Sequence, residues 1–102
     1  MNQENKINQR INMIIKKLSG KKIQTCTLSG NQENWIFENV ILLKRQTHLT
    51  FCTYDIVNRI TLINISVSKI EFFDFIEINH HEFLIVFNDG NLIKKWTLRL
   101  YF

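Results

Sequence analysis

The 102-residue sequence lacks the features that mark membrane and secreted proteins. No apolar run approaches the roughly 20 residues that a transmembrane helix needs, so we expect no membrane insertion. Residues 2–8 are polar apart from Ile7, and they contain no apolar core of a signal peptide. We therefore expect a cytoplasmic protein in which the two cysteines, Cys26 and Cys52, remain reduced.

The ligand and nucleophile patterns of metal sites and common enzymes are missing as well. Structural zinc requires closely spaced pairs of Cys or His, whereas Cys26, Cys52 and His48 each stand alone. The adjacent His80 and His81 would point to opposite faces of an extended segment. There is no G-x-S-x-G sequence and no glycine-rich phosphate loop. We predict no metal, no cofactor and no catalytic residue, and hence a protein that is not an enzyme.

One catalytic alternative stays open, because general acid–base chemistry needs only a histidine or a carboxylate with a suitable pKa. A small basic ribonuclease could use His48, His80 or His81 beside Glu82 and a lysine. This is the third of three functional hypotheses, after a binding protein and a nucleic-acid-binding barrel.

Alanine and proline are absent and glycine occurs three times, whereas Ile, Asn, Lys and Phe are abundant. A/T-rich codons specify these four abundant residues, so the composition indicates an A/T-rich genome or a mobile genetic element such as a phage. A hydrophobic fraction of 45% with 22% charged residues is typical of a globular protein. A chain of this length suits a single domain, residues 1–102, with one core.

The first element should be an amphipathic helix over residues 3–18. Apolar residues recur there at steps of three and four along one stripe: Ile7, Ile11, Ile14, Ile15 and Leu18. Ile11 and Ile14 should be buried against the sheet, and Gly20 suits the left-handed position that ends a helix. The basic residues of the other face should be exposed: Lys6, Arg10 and Lys17.

From Lys22 onward the pattern becomes extended, with β-branched and aromatic residues interrupted by short polar turns. The predicted strands are 22–28, 35–43, 48–54, 59–65, 70–78, 82–87 and 92–101. The predicted fold is therefore α+β and mainly β, with an N-terminal helix, a strongly bent antiparallel sheet or small barrel over about 22–102, and a C-terminal β-hairpin.

The order of elements resembles that of the Sm and SH3-type small barrels. The resemblance rests on a helix that ends at Leu18-Ser19-Gly20-Lys21-Lys22-Ile23 and on about five short, bent strands, and it covers roughly residues 7–73. It implies a bent sheet or barrel. The nucleobase-binding motif of Sm proteins is not matched, because Asp55 to Asn58 precede Arg59 without the family's glycine, so no family residue is transferred.

The C-terminal hairpin should turn at Asp89-Gly90, the strongest short hairpin signal in the sequence. With these two residues as the loop, Phe87 faces Leu92, Ile85 faces Lys94 and Phe83 faces Trp96. Both faces of the hairpin would then be partly apolar, which is typical either of an internal hairpin or of an interface.

The leading hypothesis is a non-enzymatic binding protein that occludes or bridges a macromolecular partner, in the manner of phage inhibitors or toxin-immunity proteins. The last strand looks like an unprotected apolar edge, and such edges recruit other strands. We therefore expect a protein partner, or self-association, through the C-terminal hairpin, with these partner-binding residues: Trp96, Arg99, Tyr101 and Phe102. A strand internal to the sheet is the alternative.

The second hypothesis is a small-barrel nucleic-acid-binding protein. The formal charge of +4 and the sequence pI of about 9.3 permit attraction to phosphate. Single-stranded nucleic acid binds where bases stack on exposed rings and cations follow the phosphates. The basic helix and the terminal hairpin would supply the cations: Lys16, Lys17, Lys21, Lys22, Lys94 and Lys95.

Overall fold

The computed structural model describes residues 3–45, 47–88 and 95–102. One helix, α1 (Gln3–Leu18), precedes the seven strands of an antiparallel sheet. The strands are β1 (Lys22–Gly30), β2 (Glu33–Arg45), β3 (His48–Thr53), β4 (Thr61–Ser66), β5 (Phe72–Glu77), β6 (Glu82–Asn88) and β7 (Trp96–Tyr101). The predicted mainly-β α+β fold, its helix and its seven strands are thereby confirmed.

The apolar stripe of α1 packs on the sheet as predicted. Ile11 and Ile14 are buried in the core, and the helix contacts β5 and β2. Gly20 has a φ of 81°, the left-handed conformation that glycine adopts readily at the end of a helix. The basic residues Lys6, Arg10 and Lys17 are exposed. Arg10 still ties the helix to β5, because its Nη1 donates a hydrogen bond of 2.9 Å to the carbonyl of Phe73.

The strands lie in the order β4-β3-β2-β1-β7-β6-β5, so β4 and β5 form the two edges. Residues 67–71, which include a short 3₁₀ turn at Val67–Lys69, connect these opposite edges. A chain segment of this length spans at most about 20 Å, whereas the edges of seven flat strands would be about 29 Å apart. The sheet must therefore curl strongly. Within the described residues β4 and β5 do not pair, so the curled sheet is not closed into a barrel.

The concave face of the curled sheet and the helix enclose the core. Its members come from the helix and from all seven strands or their flanks, and they include Ile14, Cys26, Phe51, Phe73 and Leu100. Cys26 and Cys52 are both free thiols and both buried. Desolvation by burial raises the pKa of the Cys26 thiol to about 12, so this thiol is held neutral.

The predicted register of the C-terminal hairpin is wrong by four residues. In the structure Phe87 faces Trp96, Ile85 faces Leu98 and Phe83 faces Leu100. This register sets leucines opposite the buried side of β6, whereas the predicted one would have set Lys94 opposite Ile85. The predicted turn at Asp89-Gly90, together with Leu92 and Lys94, lies outside the described residues.

The expectation that the last strand is an unprotected apolar edge is also wrong. β7 lies between β1 and β6 and pairs with both of them. Leu98 and Leu100 have no exposed surface and belong to the core. The alternative, an internal strand that completes the core, is the one that the structure has.

Candidate functional site

The most unusual surface is the loop between β3 and β4, residues 54–60, which we call the apolar loop. It exposes four large hydrophobic side chains: Tyr54 at 41%, Ile56 at 80%, Val57 at 85% and Ile60 at 60%. Fully burying one such aliphatic side chain is worth about 1.5–3 kcal/mol. Single exposed hydrophobic residues are ordinary, but several close together in the chain are typical of a surface that binds a partner.

Hydrogen bonds within the apolar loop hold its backbone in shape. The Asp55 carboxylate accepts a bond of 3.0 Å from the amide of Val57. The Thr53 hydroxyl accepts a bond of 2.8 Å from the amide of Ile60 and donates one of 3.3 Å to the carbonyl of Asn58. Polar side chains thus bond to the loop's own backbone, while apolar side chains face outward. This arrangement reverses the usual distribution of a surface turn.

The loop is anchored to the sheet at its first residue. The amide of Tyr54 donates a hydrogen bond of 2.9 Å to the carbonyl of Asn39 in β2. Asn39 has a φ of 56°, a left-handed conformation that asparagine tolerates better than most residues. The ring of Tyr54 also lies 5.7 Å from the Lys22 ammonium, measured from the ring centroid to Nζ. A cation therefore stands beside the apolar loop.

A second feature adjoins the same edge of the sheet. A cavity of about 480 Å³, which we call the seam groove, follows β4 and the residues opposite it. Its lining residues are Leu28, His48, Ile63, Asn64, Ile65, Ser66, Lys69, Phe87 and Trp96. The apolar loop directly precedes β4 in the chain, so both features belong to the β4 edge of the sheet, although no loop residue lines the groove.

Trp96 forms part of the groove wall because it packs on a glycine. A Cβ atom built on Gly30 would lie 2.6 Å from Cε3 of the Trp96 ring and 2.9 Å from the carbonyl oxygen of Lys95. No side chain fits at such distances, so only glycine permits the ring to lie there. The position of Trp96 thus depends on the residue at the tip of β1.

A third feature, which we call the helix-end pocket, lies beside the C-terminus of α1 and measures about 270 Å³. Its lining residues are Lys17, Leu18, Lys21, Glu77, His80, Phe83 and Phe102. The rings of Phe83 and Phe102 meet edge to face, with centroids 5.4 Å apart. The Lys17 ammonium hydrogen-bonds to the Glu77 carboxylate, and this bond lowers the pKa of Glu77. One cation of the pocket is therefore already paired.

The four predicted partner-binding residues do not form one surface. Trp96 lines the seam groove, whereas Phe102 lines the helix-end pocket, beyond the opposite end of β7. Arg99 and Tyr101 lie between these two residues in the chain. A hydrogen bond with Tyr101 raises the pKa of Arg99. The Nε of Arg99 is 3.6 Å from the Glu82 carboxylate. The hairpin thus contributes to two separate cavities.

The predicted nucleic-acid-binding lysines are also divided. Lys17 and Lys21 line the helix-end pocket, and the exposed Lys16 lies on the same helix. Lys22 lies beside Tyr54, as described above. Lys95 is elsewhere, with its ammonium 4.9 Å from the centroid of the Phe72 ring, and Lys94 lies outside the described residues. The helix end brings Lys17 and Lys21 together, and Lys95 does not join them.

The histidines considered for ribonuclease chemistry lie in two different places. His48 lines the seam groove, whereas His80 lines the helix-end pocket with Lys17, Lys21 and Glu77. The amide of His81, the next residue, donates to the side chain of Asn79 in the turn before β6. His80 is thus the histidine that the structure places beside a carboxylate and lysines.

The apolar loop is the feature that sequence reasoning missed. The sequence pattern predicts only a turn at Asp55 to Asn58, and it assigns no function to the two apolar residues inside this turn, Ile56 and Val57. The available signal was their position, since two adjacent β-branched residues are unusual in a turn of polar residues. Sequence alone does not reveal whether another element covers such a pair.

Among the described residues, no group of three or more His, Cys, Asp or Glu side chains is arranged to hold a metal ion. Within the same residues, no helix has the length and apolarity needed to cross a membrane. No protein-family model matches the chain, and no curated protein or solved structure is significantly similar to it. The fold and its surfaces thus define a small, mainly-β α+β domain with an apolar loop at one sheet edge.

Proposed function

We propose that this chain is a non-enzymatic binding protein that docks on a protein partner through the apolar loop. The observation that carries the proposal is the exposure of Tyr54, Ile56, Val57 and Ile60 on a loop whose backbone is held by hydrogen bonds to the side chains of Thr53 and Asp55. The centre of a protein interface is depleted of charge and rich in apolar side chains. This loop offers such a centre.

The chemistry of the loop favours protein over nucleic acid. Bases stack on aromatic rings and phosphates bind cations, and the loop offers only Tyr54 and Arg59 for these interactions. Its two most exposed side chains, Ile56 and Val57, offer neither interaction, and Asp55 beside them would repel phosphate. Lys22, at the ring of Tyr54, suits a charged rim beside an apolar centre. We therefore expect an acidic group on the partner near Lys22.

The mode of action that fits is occlusion or bridging of the partner. A small protein that acts by contact alone can cover a working surface or hold two surfaces together. Inhibitors of the phage or toxin-immunity kind work by such contact, and the A/T-rich composition is compatible with an origin in a mobile element.

The proposal is tested with three full-length baits in an extract of the source organism. They are wild type, the double substitution Ile56→Ser with Val57→Ser, and the control Met13→Ser. Met13 is 60% exposed on α1, away from the loop, so the control removes a comparable apolar side chain elsewhere. Each extract is treated with nuclease before capture.

We expect one set of proteins to be captured by wild type and by the Met13 control and to be lost with the loop variant. Surface substitutions of this kind change stability by about 0.5 kcal/mol or less, so the baits should unfold alike. Equal capture by all three baits, or capture that disappears with nuclease, would contradict the proposal.

A second candidate function rests on the helix-end pocket, where Lys17, Lys21 and the ring of Phe102 meet. Cations beside a half-buried ring can bind a single-stranded nucleic acid through its phosphates and one stacked base. If this function holds, the joint substitution of Lys16, Lys17, Lys21 and Lys22 by Gln should reduce RNA or DNA binding. It should also flatten the slope of log K against log salt by about 3–4 units. Absence of wild-type binding at low salt would remove this candidate.

A further inference from the structure

We infer that the seam groove binds an extended, acidic segment of the partner, which adds to β4 as a further strand. This inference rests on the proposed function, because it assumes a protein partner. It adds the conformation and the charge of the segment that the partner presents.

The first support is the edge itself. Among the described residues, β4 pairs with β3 on one side and with no strand on the other. Four consecutive residues, 63–66, line the groove. Successive side chains of a strand point to opposite faces, so a cavity that all four residues touch must follow the strand's edge. An open edge presents backbone groups that an added strand can bond.

The second support is the apolar lining opposite the edge. Leu28, Phe87 and Trp96, from other strands, line the groove together with Ile63 and Ile65. The volume of about 480 Å³ lies within the range of about 300–1,000 Å³ typical of ligand sites. An extended peptide directs every second side chain to one face, so alternate apolar side chains of the segment can enter between these walls.

The third support is charge. Lys69 and His48 line the groove, and its described lining contains no carboxylate. A smaller adjoining cavity of about 330 Å³ shares His48 and adds Arg45. The side chains that alternate with the apolar ones in the bound segment would meet Lys69 and Arg45. Asp or Glu at those positions is the complementary choice.

The test uses the full chain and a display library of random nine-residue peptides. Enriched peptides should alternate apolar residues with Asp or Glu. Enrichment of basic sequences, of sequences without alternation, or of nothing at all would overturn the inference. A single-stranded oligonucleotide that competes for the same groove would overturn it as well.

Two measurements on an enriched peptide then locate the contact. Lys69→Glu should weaken its binding by roughly tenfold or more, since it places a like charge at the groove, whereas the control Lys6→Glu on α1 should leave it unchanged. Methylation of successive backbone nitrogens should weaken binding at every second position, because alternate amides of a strand face one neighbour. Uniform or absent effects of methylation would contradict strand addition.

The loop variant separates this inference from the proposed function. Ile56→Ser with Val57→Ser should abolish partner capture while leaving peptide binding in the groove intact. If the groove binds no acidic peptide but capture still depends on the loop, the inference fails and the proposed function stands. If the peptide binds but capture is independent of the loop, the apolar loop is not the docking surface.

Discussion

Substituting Ile14 by Ala tests whether the helix is part of the folded core. Ile14 has no exposed surface and packs in the core where α1 meets the sheet. The substitution removes three carbons, worth about 0.8 kcal/mol each, and leaves a cavity whose lining loses contacts. We therefore expect a loss of about 2–4 kcal/mol in the free energy of unfolding, the range found for large aliphatic residues in cores.

The assay is urea denaturation followed by circular dichroism. With a dependence on urea of about 1–3 kcal/mol per molar, the midpoint should fall by roughly 0.7–4 M. Met13→Ala is the matched control, because Met13 is the preceding residue on the same helix and is largely exposed. Its midpoint should stay near that of wild type. An Ile14 variant as stable as the Met13 variant would refute the reasoning and indicate a detachable helix.

Two further predictions concern buried features. Burial raises the pKa of the Cys26 thiol from 9.0 to about 12. As the pH rises, the thiol therefore loses its proton in the unfolded chain before it does so in the folded one. The contribution of the neutral thiol to stability is complete below pH 9 and is lost between pH 9 and 12. Over this pH range the free energy of unfolding of wild type, measured by urea titration, should fall relative to that of Cys26→Ala by about 1.4 kcal/mol per pH unit. A difference between the two proteins that does not change with pH would contradict this prediction. Gly30→Ala should displace the Trp96 ring and shift its fluorescence in a Trp35→Phe background. Gly20→Ala meets no atom within 4 Å but is strained at a φ of 81°, so it should lower stability and leave the emission of the folded protein unchanged. Equal emission spectra for the folded Gly30→Ala variant and its parent would refute the close packing.

Periodicity explains why the elements were predictable. The stripe of α1, the glycine at position 20 and the alternation from Lys22 onward are local properties, and the structure follows them. The hairpin register was only half predictable. A period of two determines which side chains share a face, and a slip of four residues keeps that assignment. Choosing between Leu92 and Trp96 as the partner of Phe87 requires knowing what fills the core.

The strand order depends on contacts between distant parts of the chain. The pairing of β7 with β1 joins Leu100 to Cys26, and neither residue alone indicates the other. The edge predicted at the C-terminus was therefore placed on the wrong strand, since β4 and β5 are the edges. The same limit applies to Lys17, whose partner Glu77 lies 60 residues away.

For the candidate site, the sequence indicated residue types but not their grouping. Trp96 and Phe102 were identified as surface-forming aromatics, and each does line a cavity, but the two cavities are separate. Ile56 and Val57 were visible in the sequence, while their exposure was not. Exposure depends on what packs over a residue, and only the assembled fold reveals this.

The central claim is that the apolar loop docks on a protein partner. The most direct measurement is the dissociation constant of the captured partner, measured by calorimetry for wild type and for Ile56→Ser with Val57→Ser. Hot-spot residues near the centre of a contact cost about 2 kcal/mol or more when truncated, and about 1.4 kcal/mol is already a factor of ten. The account predicts a weakening of at least about tenfold with unchanged stability. Equal dissociation constants for the two proteins would contradict it.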